Sequence, residues 1–515
     1  MDLAELIRDI EGLRLVGAAG VRVDDITEDS RTVLPGSLFV ARRGLRSDGR
    51  AFIEQAVRDG AAAVLTDEEA APRAAGLGCG VVVAQDPALA TAQVAERFYR
   101  SPGQALRLAG ITGTNGKTTV AHLAHQMLNQ TGERTGLIGT VEIDDGVEVA
   151  PSDMTTMPAP ELSRTLAVMR EAGCSGAVME VSSHALAQKR VAALAFEVGV
   201  FTNLTRDHLD YHGTMEAYAR AKSELFASLD AGATAVVNAD DPWCRTMLEG
   251  CRAEAVRCTT GGDGRGVADC SVRRVDTPAR TPAGAGHAGV IESTRYELAG
   301  PWGSFEVAVP LLGAHNGMNL LQAACVCWSL GVDAESLRVA AAGVSPPTGR
   351  MEFVSPPGAA VAVVVDFAHT PDALEKALLA LRPIARGDLW VVFGAGGAKD
   401  RDKRPMMGGV VARLADRTVI TSDNPRAEDP SAIVGDIVRG VPDDRRGAMR
   451  VHVDRAVAIE RAIAGAKPGD VVLIAGRGHE RRQVIGDGHG GTTEIDFVDA
   501  DVARRAILAA GSVSP

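Results

Sequence analysis

One short stretch carries the strongest chemical signal in the chain. Residues 110–119 read Gly-Ile-Thr-Gly-Thr-Asn-Gly-Lys-Thr-Thr, an apolar segment leading through a glycine-rich turn into a helix-forming one. Glycines let backbone N–H groups approach phosphate oxygens, and a helix N-terminus adds its positive end. In a P-loop of this kind Lys117 reaches the β and γ phosphates and the Thr118 hydroxyl ligates Mg²⁺. Strict P-loop spacing asks for glycine at 111, where this chain has Ile111. An ordinary strand–helix turn is therefore the plain alternative, which the intact Gly116-Lys117-Thr118 at a strand–helix junction opposes.

Two further residues draw attention by type and place. Ala177-Val178-Met179 runs into Glu180, so an apolar strand ends in an acid that can hold Mg²⁺ near a P-loop. Lys222 falls on the helical face of Met215, Tyr218, Ala219, Leu225, Phe226 and Leu229, with no acid four residues away. An unpaired ammonium in an apolar stripe is costly. Periodicity alone favours snorkelling, the stem buried and the charge in water. The alternative is a catalytic or modified lysine: carbamylation by CO₂ would make it an anion suited to a second Mg²⁺.

The elements that must position these groups follow a βα rhythm. Apolar runs at 38–41, 62–65 and 81–84 read as buried strands, with a helix from about Phe52 to Asp59. Residues 2–15 have the period of an amphipathic helix. Ser101-Pro102-Gly103 marks a first linker. Beyond it, strands at 106–112, 176–181, 198–202 and 233–237 alternate with helices from 117, at 159–172 and at 215–229. That pattern means βαβ units around a mostly parallel sheet. The Gly- and Pro-rich stretch 260–290 reads as loop or hairpin, and 316–330 as a helix. Ser345-Pro346-Pro347 and Ser355-Pro356-Pro357-Gly358 mark a second boundary. Strands at 361–365, 389–393, 417–421 and 471–475 follow.

Composition bounds the function. At 515 residues, a prior of roughly 150 per domain gives about three domains. Apolar residues are 46% of the chain, which excludes a disordered or collagen-like polymer. A net charge of −12 argues against a general nucleic-acid or anionic-membrane binder. The eight cysteines include no Cys-x-x-Cys pair and read as reduced thiols. No signal peptide and no apolar run of membrane-spanning length is visible, so the expected address is the cytoplasm.

Taken together, the motifs resemble the Mur ligase family over essentially the whole chain. The carriers are GTNGKTT at 113–119, MEVSSH at 179–184, FTNLTRDHLDYHG at 201–213 and AYARAKSELF at 217–226. HNGMNLLQAA at 315–324, GRMEF at 349–353, HTPDALEKAL at 369–378, DKRPMMG at 402–408, DNPR at 423–426 and GRGHE at 476–480 complete them. The resemblance implies a three-domain α/β protein. A UDP-sugar-binding domain would span 1–102 and a central parallel-sheet P-loop ATPase domain 103–345. A Rossmann-like domain at 346–515 would bind an amino acid.

Residue roles follow from the same resemblance. Gly113, Thr114, Asn115, Gly116, Lys117, Thr118 and Thr119 would hold ATP, with Asn319, Arg350, Asp366 and His369. Lys117, Glu180, His208 and Lys222 would be the catalytic set. Thr118, Glu180, His208 and Lys222, the last as a carbamate, would ligate two Mg²⁺. Asp29, Ser30 and Arg31, in a stretch that resembles the family's N-terminal domain, would lie near the uridine diphosphate. Thr155, Thr156, Ser182, Gln188 and Arg190 would grip the sugar dipeptide.

The amino acid would meet Arg404, Asp423, Asn424, Pro425, Arg426, Gly476 and Glu480. DNPR matches members that add meso-diaminopimelate to the D-Glu γ-carboxylate of UDP-N-acetylmuramoyl-L-Ala-D-Glu through an acyl phosphate, in peptidoglycan biosynthesis. A guanidinium can bind the distal carboxylate of diaminopimelate bidentately, a group that lysine lacks; Glu480 would face the distal ammonium. The implied partners are that UDP-sugar dipeptide, diaminopimelate and ATP, acting on a monomer.

The chain departs from the family pattern at Met157, where proline is common, and at Phe367, where tyrosine is usual. Gly396-Gly397-Ala398-Lys399-Asp400 is also less acidic than expected. Competing readings are a paralogue ligating L-lysine or a secondary-metabolism substrate, a folylpolyglutamate synthetase, and a P-loop NTPase that ligates nothing. Gly394-Ala395-Gly396-Gly397 lacks full dinucleotide-binding spacing and reads as a strand–loop turn rather than a nicotinamide site.

Overall fold

The computed structural model describes residues 1–17, 20–44, 47–261, 268–275, 293–356, 359–398 and 400–511. Most of the 260–290 stretch, Pro357, Gly358 and Lys399 lie outside the described residues.

Three large sheets succeed one another along the chain, and a two-stranded antiparallel ribbon, Arg482–Gly486 with Thr492–Asp496, follows the last strand of the third. The first runs in the order Leu13–Gly17, Gly80–Ala84, Ala63–Thr66, Ser37–Val40, Asp25–Thr27. Its middle strands are apolar from end to end because both faces are covered. The amphipathic 2–15 segment is not one helix. A helix spans Leu3–Ile7, and Leu13–Gly17 is a strand pairing antiparallel with Gly80–Ala84. Positive φ at Asp9 and Gly12 turns the chain between them. Leu13 and Leu15 satisfied the helical period but pack as strand residues on the N-terminal core.

The second sheet has eleven strands and is mostly parallel, as the βα rhythm predicts, with antiparallel strands confined to its two edges. Its parallel heart orders Thr234–Asn238, Phe196–Phe201, Arg107–Thr112, Gly176–Glu180 and Thr135–Ile138. Helices Lys117–Gln130 and Ala314–Ser329 pack on one face, Ala159–Glu171 and Met215–Ala227 on the other. Glu254–Thr259 and Cys270–Arg274 extend one edge in parallel, and the hairpin Thr294–Gly300/Gly303–Val309 closes it antiparallel. Cys270–Arg274 falls inside the stretch read as loop or hairpin and is a short strand pairing antiparallel with Thr294–Gly300.

The third sheet orders Glu352–Phe353, Ala362–Asp366, Val471–Ala475, Leu389–Phe393, Arg417–Ile420 and Met449–Val451, parallel apart from the first pair. Helices Pro371–Leu381, Lys403–Leu414 and Pro430–Val438 cover one face, Arg455–Gly465 and Asp499–Gly511 the other. In open sheets of this kind ligands sit beyond the carboxyl ends of the strands. The second and third sheets obey this together: one cavity of about 310 Å³ is lined by residues that follow the strand ends of both.

Helix Lys403–Leu414 approaches the next helix closely at Gly408, where a Cβ would collide with the Ile437 carbonyl. Backbone cannot yield as a flexible side chain can. Gly408→Ala is therefore expected to destabilise the C-terminal domain by about 1–3 kcal/mol, read as a lower urea midpoint for that domain's transition.

Candidate active site

The P-loop is shaped by contacts that only glycine permits. Gly113 has φ +150°, and a Cβ there would fall on the Thr202 hydroxyl. Gly116, at φ +88°, precedes the helix that begins at Lys117, and a Cβ would stand 2.7 Å from Asn319 Oδ1. Asn319 is thereby fixed over the loop, its amide donating to Asn316 Oδ1 at 2.8 Å. The loop is stitched to the segment after strand Phe196–Phe201. Thr114 N donates to the Asn203 carbonyl (2.8 Å) and Asn115 N to Asn203 Oδ1 (3.0 Å). The Thr202 hydroxyl and Asn203 Nδ2 both donate to the Asn115 carbonyl. Sequence reasoning used this segment as a marker and gave Thr202, Asn203 and Thr205 no role.

Two lysines meet on one acceptor. Lys117 Nζ and Lys222 Nζ each donate to the Gly113 carbonyl at 2.9 Å. Lys222 is 1% exposed and lies 4.7 Å from the centre of the Tyr218 ring. Its ammonium does not reach water, so the snorkelling reading is corrected: the helix points it inward beneath the P-loop. Burial, then the charge of Lys117, hold Lys222 well below the ordinary lysine value. Lys117 is lowered as well, chiefly by burial.

Glu180 is buried beside them. Its carboxylate accepts from the Thr118 hydroxyl (3.0 Å) and from Thr140 N (2.7 Å). Across the cavity Arg350 donates to the same Thr118 oxygen at 2.9 Å and stacks 4.3 Å over the Phe367 ring. Phe367 thus keeps a packing role without a hydroxyl. Asp366 accepts from Met351 N and Ala368 N, both at 2.8 Å, and burial raises its pKa.

A second junction holds the two sheets' loops together. Asp207 is buried, with Lys403 Nζ at 3.4 Å, His208 Nε2 at 3.5 Å and His369 Nε2 at 3.6 Å. Arg206 pairs with Asp400 (3.0 Å) and Asp402 (2.9 Å), and Asn115 Nδ2 reaches Asp372 at 2.8 Å. Burial raises the Asp207 pKa, but the His369 hydrogen bond and the Lys403 charge outweigh it and hold the carboxyl well below the usual range.

The cavity wall expected to meet an amino acid follows strands Arg417–Ile420 and Val471–Ala475. Asn424 Nδ2 donates to Glu480 Oε2 (2.7 Å), and Asn424 Oδ1 accepts from Val484 N (2.9 Å), which fixes the amide's orientation. Gly476, at φ +119°, leaves room for Asp423 Oδ2. Arg426 lines the cavity at φ +55°, its guanidinium donating to the Gly397 carbonyl (2.9 Å). Arg404 does not line the cavity; at 1% exposure it is paired with Glu428 and Asp436 and donates to the Gly396 carbonyl.

Of the residues assigned to the UDP-sugar dipeptide, Thr155 lines the cavity. Thr156, Ser182, Gln188 and Arg190 form a chain behind Glu180: the Thr156 hydroxyl donates to the Glu180 carbonyl, Ser182 N donates to that hydroxyl, and Arg190 links Thr156 O to Gln188. Asp29, Ser30 and Arg31 form an N-terminal-domain turn away from the cavity, with Arg31 paired to Asp29 at 2.6 Å. Met157 is buried in the apolar core with Leu162 and Leu166, so its departure from the family pattern is one of packing.

Comparison with known proteins agrees along the chain. Residues 22–107 match a model described as Mur ligase family, catalytic domain; 111–327 match Mur ligase middle domain; 349–478 match Mur ligase, glutamate ligase domain. The UDP-N-acetylmuramoyl-L-alanyl-D-glutamate–2,6-diaminopimelate ligase of Synechococcus elongatus is 42% identical, covering 95% of each chain. That of Geobacillus thermodenitrificans is 40% identical, covering 98% of this chain and 99% of its own. A solved structure of a ligase of that name superposes with TM-score 0.64 at 32% identity, covering 99% of each chain. A folylpolyglutamate synthase of Mycobacterium tuberculosis shares the fold at TM-score 0.57 and 20% identity, with 75% of this chain and 92% of that one covered.

Asp207→Asn tests the junction. A carboxyl whose folded pKa is depressed stabilises fully above its unfolded value and loses that contribution as pH falls through the folded one. The variant's deficit in urea midpoint should be complete at neutral pH and shrink as pH drops below the ordinary value of 3.8.

Proposed function

The chain belongs to the Mur ligase family, and on that premise we propose that it joins meso-diaminopimelate to the D-Glu γ-carboxylate of UDP-N-acetylmuramoyl-L-Ala-D-Glu, with ATP as co-substrate. One observation carries this reading. A single cavity brings a phosphate-binding loop next to a wall that offers both a guanidinium, Arg426, and a carboxylate, Glu480. That wall is complementary to an amino acid carrying its own carboxylate and ammonium at the far end. Lysine would leave Arg426 without its anion, which penalises it. A non-ligating NTPase has no use for the wall.

The carboxylate is a poor electrophile until phosphate becomes its leaving group. The γ-phosphoryl of ATP passes to it, giving an acyl phosphate and ADP. The diaminopimelate amine then attacks the carbonyl carbon, the tetrahedral adduct expels phosphate, and the amine proton leaves. Two anions must meet in the first step, so charge neutralisation dominates. Lys117, freed from the Gly113 and Thr114 carbonyls, takes the phosphates; Arg350 exchanges Thr118 for nucleotide oxygens. The Asp207 junction closes the loops of both sheets over the site and excludes water that would hydrolyse the acyl phosphate.

The donor set suits Mg²⁺. Thr118 and Glu180 are buried neighbours offering oxygen. Among the described residues no three His, Cys, Asp or Glu side chains form a metal cage, as expected for a cation that keeps waters and phosphate oxygens. Thr118, Glu180, His208 and carbamylated Lys222 would between them hold two ions. Bound there, Mg²⁺ supplies further screening of phosphate charge. The burial that lowers the Lys222 pKa favours the neutral amine, which is the form that adds to CO₂. Dependence on ATP and a UDP-sugar, with no described helix long and apolar enough to cross a membrane, supports a cytoplasmic reaction.

The test is phosphate release from ATP with the UDP-sugar dipeptide and meso-diaminopimelate, L-lysine or no amino acid. Release is expected only with diaminopimelate, accompanied by the tripeptide product in the mass spectrum. Arg426→Ala should raise KM for diaminopimelate about 10–100-fold with little change in KM for ATP. Equal turnover with lysine would contradict the selectivity argument; turnover with no amino acid would favour the NTPase.

A further inference from the structure

Behind the Arg426–Glu480 wall, outside the lining of this cavity, lies a charge network. Arg455 is 2% exposed, Arg477 and Asp499 0%. Arg455 donates from Nε and Nη2 to the two Asp499 oxygens at 2.7 and 2.6 Å. Its remaining hydrogens reach the carbonyls of Ser422 (3.1 Å) and Ala475 (3.0 Å). Those carbonyls immediately precede Asp423 and Gly476, so one guanidinium ties together the two strand ends that carry the amino-acid wall. Their strands are not neighbours, because Leu389–Phe393 runs between them.

Arg477 completes the network. Nη2 donates to the Arg482 carbonyl (2.7 Å) and the Phe497 carbonyl (3.3 Å), and the guanidinium lies 5.2 Å over the Phe497 ring. Nη1 faces Asp499 at 3.9 Å, and Nε faces Glu480 Oε2 at 3.4 Å. Nε and Nη1 are buried without a hydrogen bond. Buried charge networks of this kind are a weak source of stability, since apolar replacements are often neutral or better. Two unsatisfied donors turned toward acids point to a role in placing the nearer, cavity-lining acid.

We propose that Arg477, fixed by Asp499 and Arg455, is the positioning residue of Glu480 and thereby sets affinity for the ammonium end of the incoming amino acid. This rests on the diamino-acid reading above. Glu480 must be an anion to bind an ammonium. Burial raises its pKa and the nearby Asp423 adds to that; the Asn424 hydrogen bond and the Arg477 charge oppose both. His369 also lowers it, and Arg350 and Arg455 are the other cations in range. Removing Arg477 takes away the cation closest to Glu480 along its own loop, so its pKa rises further and the anion is lost at higher pH.

The experiment measures KM for diaminopimelate, KM for ATP and kcat against pH. It uses wild type, Arg477→Met, Arg477→Lys, Glu480→Gln and the double variant Arg477→Met/Glu480→Gln. Arg477→Met is expected to raise KM for diaminopimelate about tenfold or more, with smaller changes in kcat and KM for ATP. The acid limb of KM against pH should move to higher pH. Arg477→Lys should recover most of the loss, and the double variant should match Glu480→Gln alone. If Arg477→Met does not fold, Asp499→Asn carries the test with the same readouts. An unmoved acid limb, an equal rise in KM for ATP, or additive effects in the double variant would overturn the proposal. Wild-type enzyme that ignores diaminopimelate would overturn the substrate reading and this inference with it; a responsive wild type beside a normal Arg477→Met would overturn this inference alone.

Discussion

Two cations share one carbonyl. Lys117 and Lys222 both donate to Gly113 O, and Arg350 reaches in from the third sheet to Thr118, the residue after Lys117 in the same helix. Like charges this close, out of water, repel strongly. Much of the surrounding structure reads as an answer to that strain. Glu180 supplies one buried anion, Asp207 another, and a polyphosphate bound in the cavity would supply several more. A neutral or carbamylated Lys222 would remove the repulsion at its source. On the function proposed above, phosphates and a carboxylate would meet these cations.

The same constraint orders the fold. The anion-binding groups stand beyond the carboxyl ends of parallel strands in two sheets, and the Asp207 junction holds those ends face to face. The second sheet contributes the P-loop, Glu180 and the 202–208 segment. The third contributes Arg350, Asp366, His369 and the amino-acid wall. Each sheet supplies only part of the cavity lining: the glycine-rich loop on one side, Arg426 and Glu480 on the other. The Arg455–Asp499 pair does within the third sheet what the Asp207 junction does between sheets, fixing strand ends that backbone pairing alone leaves independent.

Much of this was legible in the sequence. The P-loop, the acid ending Gly176–Glu180 and nearly every buried strand of the parallel sheets could be read because glycine placement and apolar runs are local signals. Residues 2–15 read as one helix, which holds for Leu3–Ile7 but not beyond, because helix and strand periods overlap over short stretches and two positive-φ residues, Asp9 and Gly12, decide the matter. Lys222 stood out on its helical face, but its fate could not be read there. Its partner, Gly113 O, is 109 residues away, and distance in sequence is what local patterns cannot see. Asp207, Arg455, Arg477 and Asp499 were missed for the same reason: a charged residue marks a network only when its partners are known. Arg404, taken from the resemblance as an amino-acid contact, sits one layer behind the cavity, holding the loop at Gly396.

The account turns on the charge state of Lys222. The most direct test is ¹³C NMR of active, ¹⁵N-lysine-labelled protein in ¹³C-bicarbonate. The account predicts one carbamate carbon coupled to a lysine nitrogen, absent in Lys222→Ala together with activity. Full activity in protein that shows no such signal, or a signal that survives Lys222→Ala, would contradict it.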